Sequence, residues 1–165
     1  MKMEHGLSEW LGLGVSIAVC FAAAGLGSLF TDPEIGGWYA RLIKPSWTPP
    51  NWVFGPVWSV LYLMMAIAAW LVWRQKGFTG AAFPLALFAL QLTFNALWSI
   101  LFFGLHRMGA ALADILLLWG AILLTILAFW RVTPLAGYLL LPYLLWVTYA
   151  SALNYSIWSL NSPAR

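Results

Sequence analysis

The chain has 165 residues, of which 63% are hydrophobic and only 8% are charged. Soluble domains carry about 25% charged residues, so this composition excludes an ordinary soluble protein and predicts an integral membrane protein. The net charge of +3 comes from eight basic and five acidic side chains that are scattered singly, so we expect no nucleic-acid partner.

Five long apolar stretches have their charged residues near their ends, and a spanning α-helix needs about 20 such residues. The first stretch is similar to a signal peptide, but Glu4 and Glu9 oppose that interpretation and the apolar run is too long. Short links after the second span favour sequential antiparallel neighbours. We therefore predict an all-α membrane protein, multi-pass, with one five-helix transmembrane domain over residues 1–165. The predicted spans cover about residues 10–30, 53–73, 80–104, 108–130 and 134–160.

The first loop, predicted at residues 31–52, is much longer than the other links. Pro45, Pro49 and Pro50 fix φ and lack an N–H, which predicts an extended segment rather than a helix or a paired strand. Aromatic side chains on such a stiff segment lose little entropy when they bind. We therefore predict that this loop acts as a lid over an intramembrane pocket. Its aromatic residues are Trp38, Tyr39, Trp47 and Trp52.

Helical spacing places aromatic and amide side chains on one face of each of three spans. Amide groups in hydrocarbon need a polar partner or a cavity to line. If the three faces converge, they form an aromatic pocket, but a packed bundle core would show the same stripes. The stripes are Trp58, Tyr62 and Met65 in span two, Gln91, Asn95, Trp98 and Phe102 in span three, and Tyr143, Trp146, Ala150 and Asn154 in span five.

Catalytic and metal-binding motifs do not stand out in this sequence. His5 and His106 belong to no motif, and Cys20 lies alone in an apolar run, so we predict neither a metal site nor a cofactor. A nucleophile, a base and an orienting group do not occur together. The residues favour binding of a large planar apolar molecule with polar edges, and they do not identify it.

Three segments resemble the signature of the TspO/MBR family, the tryptophan-rich sensory proteins related to the mitochondrial translocator protein, or peripheral benzodiazepine receptor. Residues 38–62 read WYARLIKPSWTPPNWVFGPVWSVLY. Span three contains TFNALWSILFF and span five contains PYLLWVTYASALNY, in the family's order and spacing. The resemblance therefore covers nearly the whole chain.

The resemblance implies an integral membrane receptor or sensor that binds porphyrins, with sterols and benzodiazepine-type molecules as further ligands. It also implies a homodimer, for which helix three offers the small side chains of Ala82, Ala86 and Ala89. The implied ligand-binding residues are Tyr39, Trp47, Trp58, Asn95, Trp98, Trp146 and Ala150, and Tyr62 joins them by its helical spacing from Trp58.

Two alternatives to a sensor of tetrapyrrole level or stress remain open. Light-dependent porphyrin breakdown, attributed to some bacterial members, would make Trp58 and Trp146 catalytic. A transporter of tetrapyrroles or lipids is less favoured, because the chain shows no inverted halves. The sterol motif of mammalian relatives needs a basic residue shortly after Tyr155, and none follows within five positions, which favours a bacterial membrane and a tetrapyrrole ligand.

Overall fold

The structure, a computed structural model, describes the backbone of residues 2–162 and the side chains of residues 9–162. The side chains of Glu4 and His5 therefore lie outside the described part. Within that part, the regular elements are all helical. They are α1 (Lys2–Ile35), α2 (Trp38–Arg41), a 3-10 turn (Asn51–Val53), α3 (Phe54–Gly80), α4 (Ala82–Ser99), a π-helical turn (Ile100–Gly104), α5 (Met108–Val132) and α6 (Pro134–Asn161).

Five segments of the described chain are long and apolar enough to cross a membrane, with mean hydropathies from 1.3 to 2.4. The predicted all-α, five-span architecture is confirmed. Spans three to five agree with the predicted bounds to within two residues. Span two is longer than predicted, because α3 continues past Arg74 and is interrupted at Gly77, which adopts a φ of 65°. The segments are Glu9–Ile35, Asn51–Gly80, Ala82–Gly104, Met108–Val132 and Pro134–Asn161.

The five spans form a closed ring in the order α1, α3, α6, α5 and α4. Short links make α4, α5 and α6 sequential antiparallel neighbours, as the sequence predicts. The same prediction is wrong for α3 and α4, because α1 packs between them in the ring. The interior is filled by fully buried side chains such as Met65, Ile122 and Phe129. Helix α1 is the least embedded, with 11% of its span buried against 28–44% for the other four. Helix α1 is therefore the side of the bundle that the other helices cover least.

Helix α1 approaches α4 and the π-helical turn through two glycines. A Cβ on Gly27 would lie 3.1 Å from the Ser99 Oγ, and one on Gly104 would lie 2.7 Å from the Phe30 Cδ1. A side chain at either position would crowd the side chain of Ser99 or Phe30, so glycine allows this close approach. The contact fixes the carboxyl end of α1 against the segment that carries Trp98.

The first loop begins later than predicted, because α1 continues through residues 31–35. Pro33 removes only one helical hydrogen bond there, and the Thr31 hydroxyl donates to the Gly27 carbonyl at 3.0 Å. The helix ends instead before Gly37, which leaves the helical region with φ −101° and ψ −106°. The predicted loop of residues 31–52 is therefore wrong at its start, and Thr31 and Asp32 belong to α1.

The loop is also not the extended rod that its prolines predict. Residues Trp38–Arg41 form α2, and the Thr48 N–H donates to the Pro45 carbonyl at 3.0 Å to close a turn. Prolines restrict their own φ and the residue before them, so the segments between prolines keep the freedom to turn. Closure of this loop as a lid stays a prediction.

Side chains of α6 hold the loop by its backbone. The Asn161 Oδ1 accepts the Ile43 N–H at 2.9 Å, and the Asn161 Nδ2 donates to the Ile43 carbonyl at 2.8 Å. The Tyr149 hydroxyl donates to the Trp47 carbonyl at 2.9 Å. The loop is thereby tied to the helix that carries Trp146.

Asn161→Ala is expected to loosen the loop, because it removes both hydrogen bonds to Ile43 at a cost of about 1–2 kcal/mol. Amide hydrogen exchange over residues 42–48 should accelerate several-fold. Ser159→Ala is the matched control, since the Ser159 hydroxyl bonds only within its own helix, to the Ser156 carbonyl at 3.0 Å. Equal exchange rates in the wild type and Asn161→Ala would show that Asn161 does not hold the loop.

The alanines of the predicted dimer contact, Ala82, Ala86 and Ala89, are all exposed on α4. Their small side chains leave this face of the helix open to a neighbour in the bilayer. The homodimer itself stays a prediction.

Candidate functional site

A cavity of about 420 Å³ lies between the helices at the end of the bundle that carries the first loop. Its volume is within the range of about 300–1,000 Å³ that is typical of small-molecule sites. Helices α1, α3, α4 and α6 and the π-helical turn form the walls, and α2 contributes Tyr39. The lining is mainly aromatic and aliphatic, with a few amide and hydroxyl groups.

The three predicted stripes converge on this cavity, but only with the ends that face the first loop. Met65, Gln91 and Tyr143 are buried deeper in the bundle, where they belong to the packed core. The pocket interpretation of the stripes therefore holds for the ends that face the first loop. The packed-core interpretation holds for the deeper parts. The predicted site residues that line the cavity are Tyr39, Trp58, Tyr62, Asn95, Trp98, Trp146 and Ala150.

Trp47 lies outside the cavity, with 45% of its surface exposed. Its ring packs edge-on against Tyr149 at 5.5 Å between centroids. The turn that begins at Pro45 directs the side chain to the outer surface of α6. Trp47 therefore contributes to holding the loop, and the structure does not bring it together with the other predicted site residues.

A chain of hydrogen bonds forms the polar floor of the cavity. The Tyr62 hydroxyl donates to the Asn95 Oδ1, and the Asn95 Nδ2 donates to the Tyr143 oxygen at 3.0 Å. These bonds join α3, α4 and α6, and all three side chains are buried. Because one amide serves two tyrosines, Asn95 fixes the relative positions of the three helices at this depth.

A second amide, Asn154 of α6, orients one wall tryptophan. Its Oδ1 accepts the Trp98 indole N–H at 2.9 Å, and its Nδ2 donates to the Met108 carbonyl at 3.0 Å. Trp98 stacks on Phe102 at 5.2 Å, so the ring is held both by its edge and by its face. This indole is a structural part of the wall.

Trp58 of α3 and Trp146 of α6 also line the cavity, but their indole N–H groups donate to no acceptor among the described residues. Their rings are held by aromatic neighbours instead. Trp58 lies 5.6 Å from Tyr62, and Trp146 lies 5.9 Å from Phe54, between ring centroids. Two aromatic rings of the cavity wall therefore keep an indole N–H that no described protein group accepts.

Sequence reasoning missed the contribution of α1. Gly25, Ser28 and Asp32 line the cavity and are exposed, and Gly55 and Ser59 of α3 face the same edge. Helix α1 carries no aromatic or amide stripe because its apolar run is uniform on all sides. The small residues at this edge are the only signal, and they are equally typical of helix packing.

The π-helical turn was also not predicted. Its wider winding is defined by the Leu105 N–H, which donates to the Ile100 carbonyl at 2.8 Å. Such a turn inserts one extra residue into a helix and is frequent at functional sites. Here it buries the adjacent Phe102 and Phe103 together, and both rings line the cavity beneath Tyr39.

Tyr39 is held at the mouth of the cavity by Lys44. The Lys44 Nζ donates to the Tyr39 carbonyl at 2.6 Å and to the Leu42 carbonyl at 3.0 Å, and it lies 4.7 Å from the centre of the Tyr39 ring. Burial raises the pKa of Tyr39 to about 12, so its hydroxyl stays neutral and can donate a hydrogen bond. The Lys44 ammonium is occupied by carbonyl groups of its own loop.

Three elements meet beside the mouth of the cavity. The Trp38 ring of α2 stacks on His106 at 4.2 Å, and the His106 Nε2 lies 3.2 Å from the Glu34 Oε2 of α1. His106 adopts a φ of 54°, which is uncommon for a residue other than glycine. The cluster joins α1, α2 and the link between α4 and α5.

A ring of five spanning helices around an aromatic internal cavity makes this chain a multi-pass integral membrane protein. Its family follows from comparison with known proteins. The model of the TspO/MBR family matches residues 16–159. The chain therefore belongs to the TspO/MBR family of membrane sensor and translocator proteins, and the resemblance found in its sequence is confirmed.

Relatives in three organisms match most of the chain. The translocator protein of Homo sapiens is 48% identical over 142 residues, which cover 85% of this chain and 84% of that protein. The tryptophan-rich protein TspO of Chlorobaculum tepidum is 44% identical over 155 residues, covering 92% and 96%. The tryptophan-rich sensory protein of Cereibacter sphaeroides is 41% identical over 153 residues, covering 93% of each chain.

Proposed function

We propose that this protein is a membrane receptor that binds a porphyrin-type tetrapyrrole in the cavity and links its level to tetrapyrrole metabolism or stress. The observation that carries the proposal is the pair Trp58 and Trp146. Both line one cavity from different helices, and neither indole N–H is engaged within the described protein.

A planar macrocycle suits these walls for two physical reasons. Flat aromatic side chains gain from stacking in addition to the burial of apolar surface, about 0.5–1.5 kcal/mol for each pair. The indole N–H groups of Trp58 and Trp146 supply two donors for the carbonyl or carboxylate substituents at the edge of a tetrapyrrole, and Asn95 places an amide in the floor of the cavity. Because the rings of the wall are already held by packing, little entropy is lost on binding.

Titration of the detergent-purified protein with protoporphyrin IX in the dark tests the proposal. We expect saturable quenching of tryptophan fluorescence at micromolar ligand. Trp58→Phe and Trp146→Phe should each weaken binding about 5- to 10-fold, since each removes an N–H donor and part of a stacking surface.

Trp119→Phe is the matched control for these variants. The Trp119 indole N–H donates to the Thr148 hydroxyl at 2.9 Å, and Trp119 does not line the cavity. Its replacement should leave porphyrin affinity within about 2-fold of the wild type, a difference below about 0.4 kcal/mol. Equal affinities in all four proteins would place the binding site elsewhere and overturn the proposal.

Light-dependent porphyrin breakdown is the second candidate function, because Trp58 has two tyrosines beside it. In this reaction the photoexcited porphyrin would take one electron from the Trp58 indole and be reduced by it. The rings of Tyr62 and Tyr143 lie 5.6 Å and 6.1 Å from Trp58, close enough to return an electron to the oxidised indole. Illumination of the bound complex should then produce a new absorption band. That band should be absent in Trp58→Phe at saturating porphyrin, whereas a stable spectrum in the wild type excludes this activity.

A further inference from the structure

The described lining of the cavity contains an acidic side chain but no basic one to balance it. Among the described residues that line it, Asp32 is the one with a carboxylate, and none carries a basic side chain. The other polar lining groups are neutral amides, hydroxyls and indoles. A charged ligand group therefore meets one fixed negative charge at this site and no fixed positive charge.

The carboxylate of Asp32 is not neutralised within the described part of the protein. The contacts found there between a carboxylate and a basic side chain join Arg74 to Glu9 and His106 to Glu34, and neither includes Asp32. Lys44 of the first loop holds the cavity-lining Tyr39, and its ammonium is bound to three carbonyl groups, including those of Tyr39 and Leu42. Asp32 is thus available to a ligand.

Asp32 lies at one edge of the cavity, so its charge would face only one end of a bound ligand. It lies in the last two turns of α1, on the exposed edge of the cavity where Ser28 and Asn51 also line the wall. Trp58 and Asn95 lie deeper, where the lining is aromatic and amide. A flat ligand that stacks against these rings has its outer edge beside Asp32.

We propose that Asp32 selects ligands by charge: it favours a cationic or hydrogen-bond-donating substituent at the outer edge and disfavours a carboxylate there. The inference rests on the porphyrin site proposed above. It predicts that the preferred ligands are tetrapyrroles whose edge substituents are neutral or cationic, such as esters and amides. A dicarboxylic porphyrin binds with its acidic edge turned away from Asp32.

Three porphyrins with the same macrocycle test this inference. They are protoporphyrin IX, its neutral dimethyl ester and its dicationic diamide with ethylenediamine, each titrated in the dark against the wild type and Asp32→Asn. For each ligand, the ratio of the two affinities cancels differences in micelle partitioning. At low salt, Asp32→Asn should strengthen protoporphyrin IX binding about 3- to 5-fold and weaken diamide binding by a similar factor. The ester should change less than about 2-fold.

Salt and a matched variant separate the effect from a structural change. Raising the ionic strength from about 0.05 to 0.5 M should shrink the diamide preference of the wild type, since exposed charges are screened. Glu9→Gln makes the same charge change on the same helix, in an exposed pair with Arg74 outside the cavity lining, and should leave all three affinities within about 2-fold.

The two kinds of failure are distinguishable. Absence of saturable binding for all three porphyrins in both proteins overturns the proposed porphyrin site and this inference with it. Saturable binding of all three with the same ratios in Asp32→Asn as in the wild type overturns charge selection alone. An effect of Glu9→Gln equal to that of Asp32→Asn also overturns it, because the charge would then act from outside the cavity.

Discussion

Asn95→Leu is expected to lower thermal stability and porphyrin affinity together. Leucine has a similar branched shape but leaves the Tyr62 hydroxyl without its acceptor and the Tyr143 oxygen without its donor. Interhelical hydrogen bonds in membranes contribute about 0.6 kcal/mol on average, but two stranded buried groups raise the loss to about 1–3 kcal/mol. Loss of the amide from the wall should reduce porphyrin affinity about 10-fold. Thermal unfolding in detergent and the dark titration measure the two effects.

A double-mutant cycle identifies the cause of that stability loss. If the stranded Tyr62 hydroxyl carries part of it, Asn95→Leu combined with Tyr62→Phe will be more stable than Asn95→Leu alone. Tyr62→Phe in the wild-type background should destabilise the protein, since it leaves the Asn95 Oδ1 unpaired. Strict additivity of the two substitutions would show that the hydrogen bond contributes nothing.

Gly27→Leu is expected to destabilise the bundle by about 1–3 kcal/mol through overpacking. The Cβ alone would lie 3.1 Å from the Ser99 Oγ, and the remaining carbons of leucine would enter α4. Helix α1 would then move away from α4 and the π-helical turn, which distorts one wall of the cavity. Thermal unfolding should show a clear fall in the transition temperature.

Gly25→Leu is the matched control for this prediction. Gly25 lies on the same helix two residues earlier and is exposed, and a Cβ added there would meet no neighbouring group within 4 Å. The substitution should leave stability unchanged or slightly raise it, because leucine is a better helix former than glycine. A loss of stability for Gly25→Leu as large as for Gly27→Leu would contradict the close approach of α1 to α4.

The architecture follows from features that the sequence expresses locally. Apolar length sets the number of spans, and the helical spacing of Trp58 with Tyr62 and of Asn95 with Trp98 selects the faces that line the cavity. The depth at which each stripe changes from cavity wall to packed core depends on neighbouring helices, so periodicity could not supply it. Met65 and Tyr143 continue the same stripes and are buried in the core.

The errors arise where tertiary contacts override local signals. Pro33 marks a helix end in the sequence, yet α1 continues to Ile35 while it packs near α2. Trp47 belongs to the most distinctive motif of the chain, but a turn at Pro45 directs it away from the cavity. The π-helical turn has no local signature, because its extra residue is accommodated by contacts with α1 and α5.

The sparse covering of α1 predicts how a ligand would reach the proposed site. Gly25 and Gly55 line the cavity, are exposed, and leave open space where a side chain would stand, so we expect the edge between α1 and α3 to admit a ligand. An apolar ligand that dissolves in the bilayer arrives by two-dimensional diffusion within the lipid. Its effective concentration is then set by its partition coefficient and by the lipid volume, and an apparent Kd will rise in proportion to the amount of lipid or detergent in the assay.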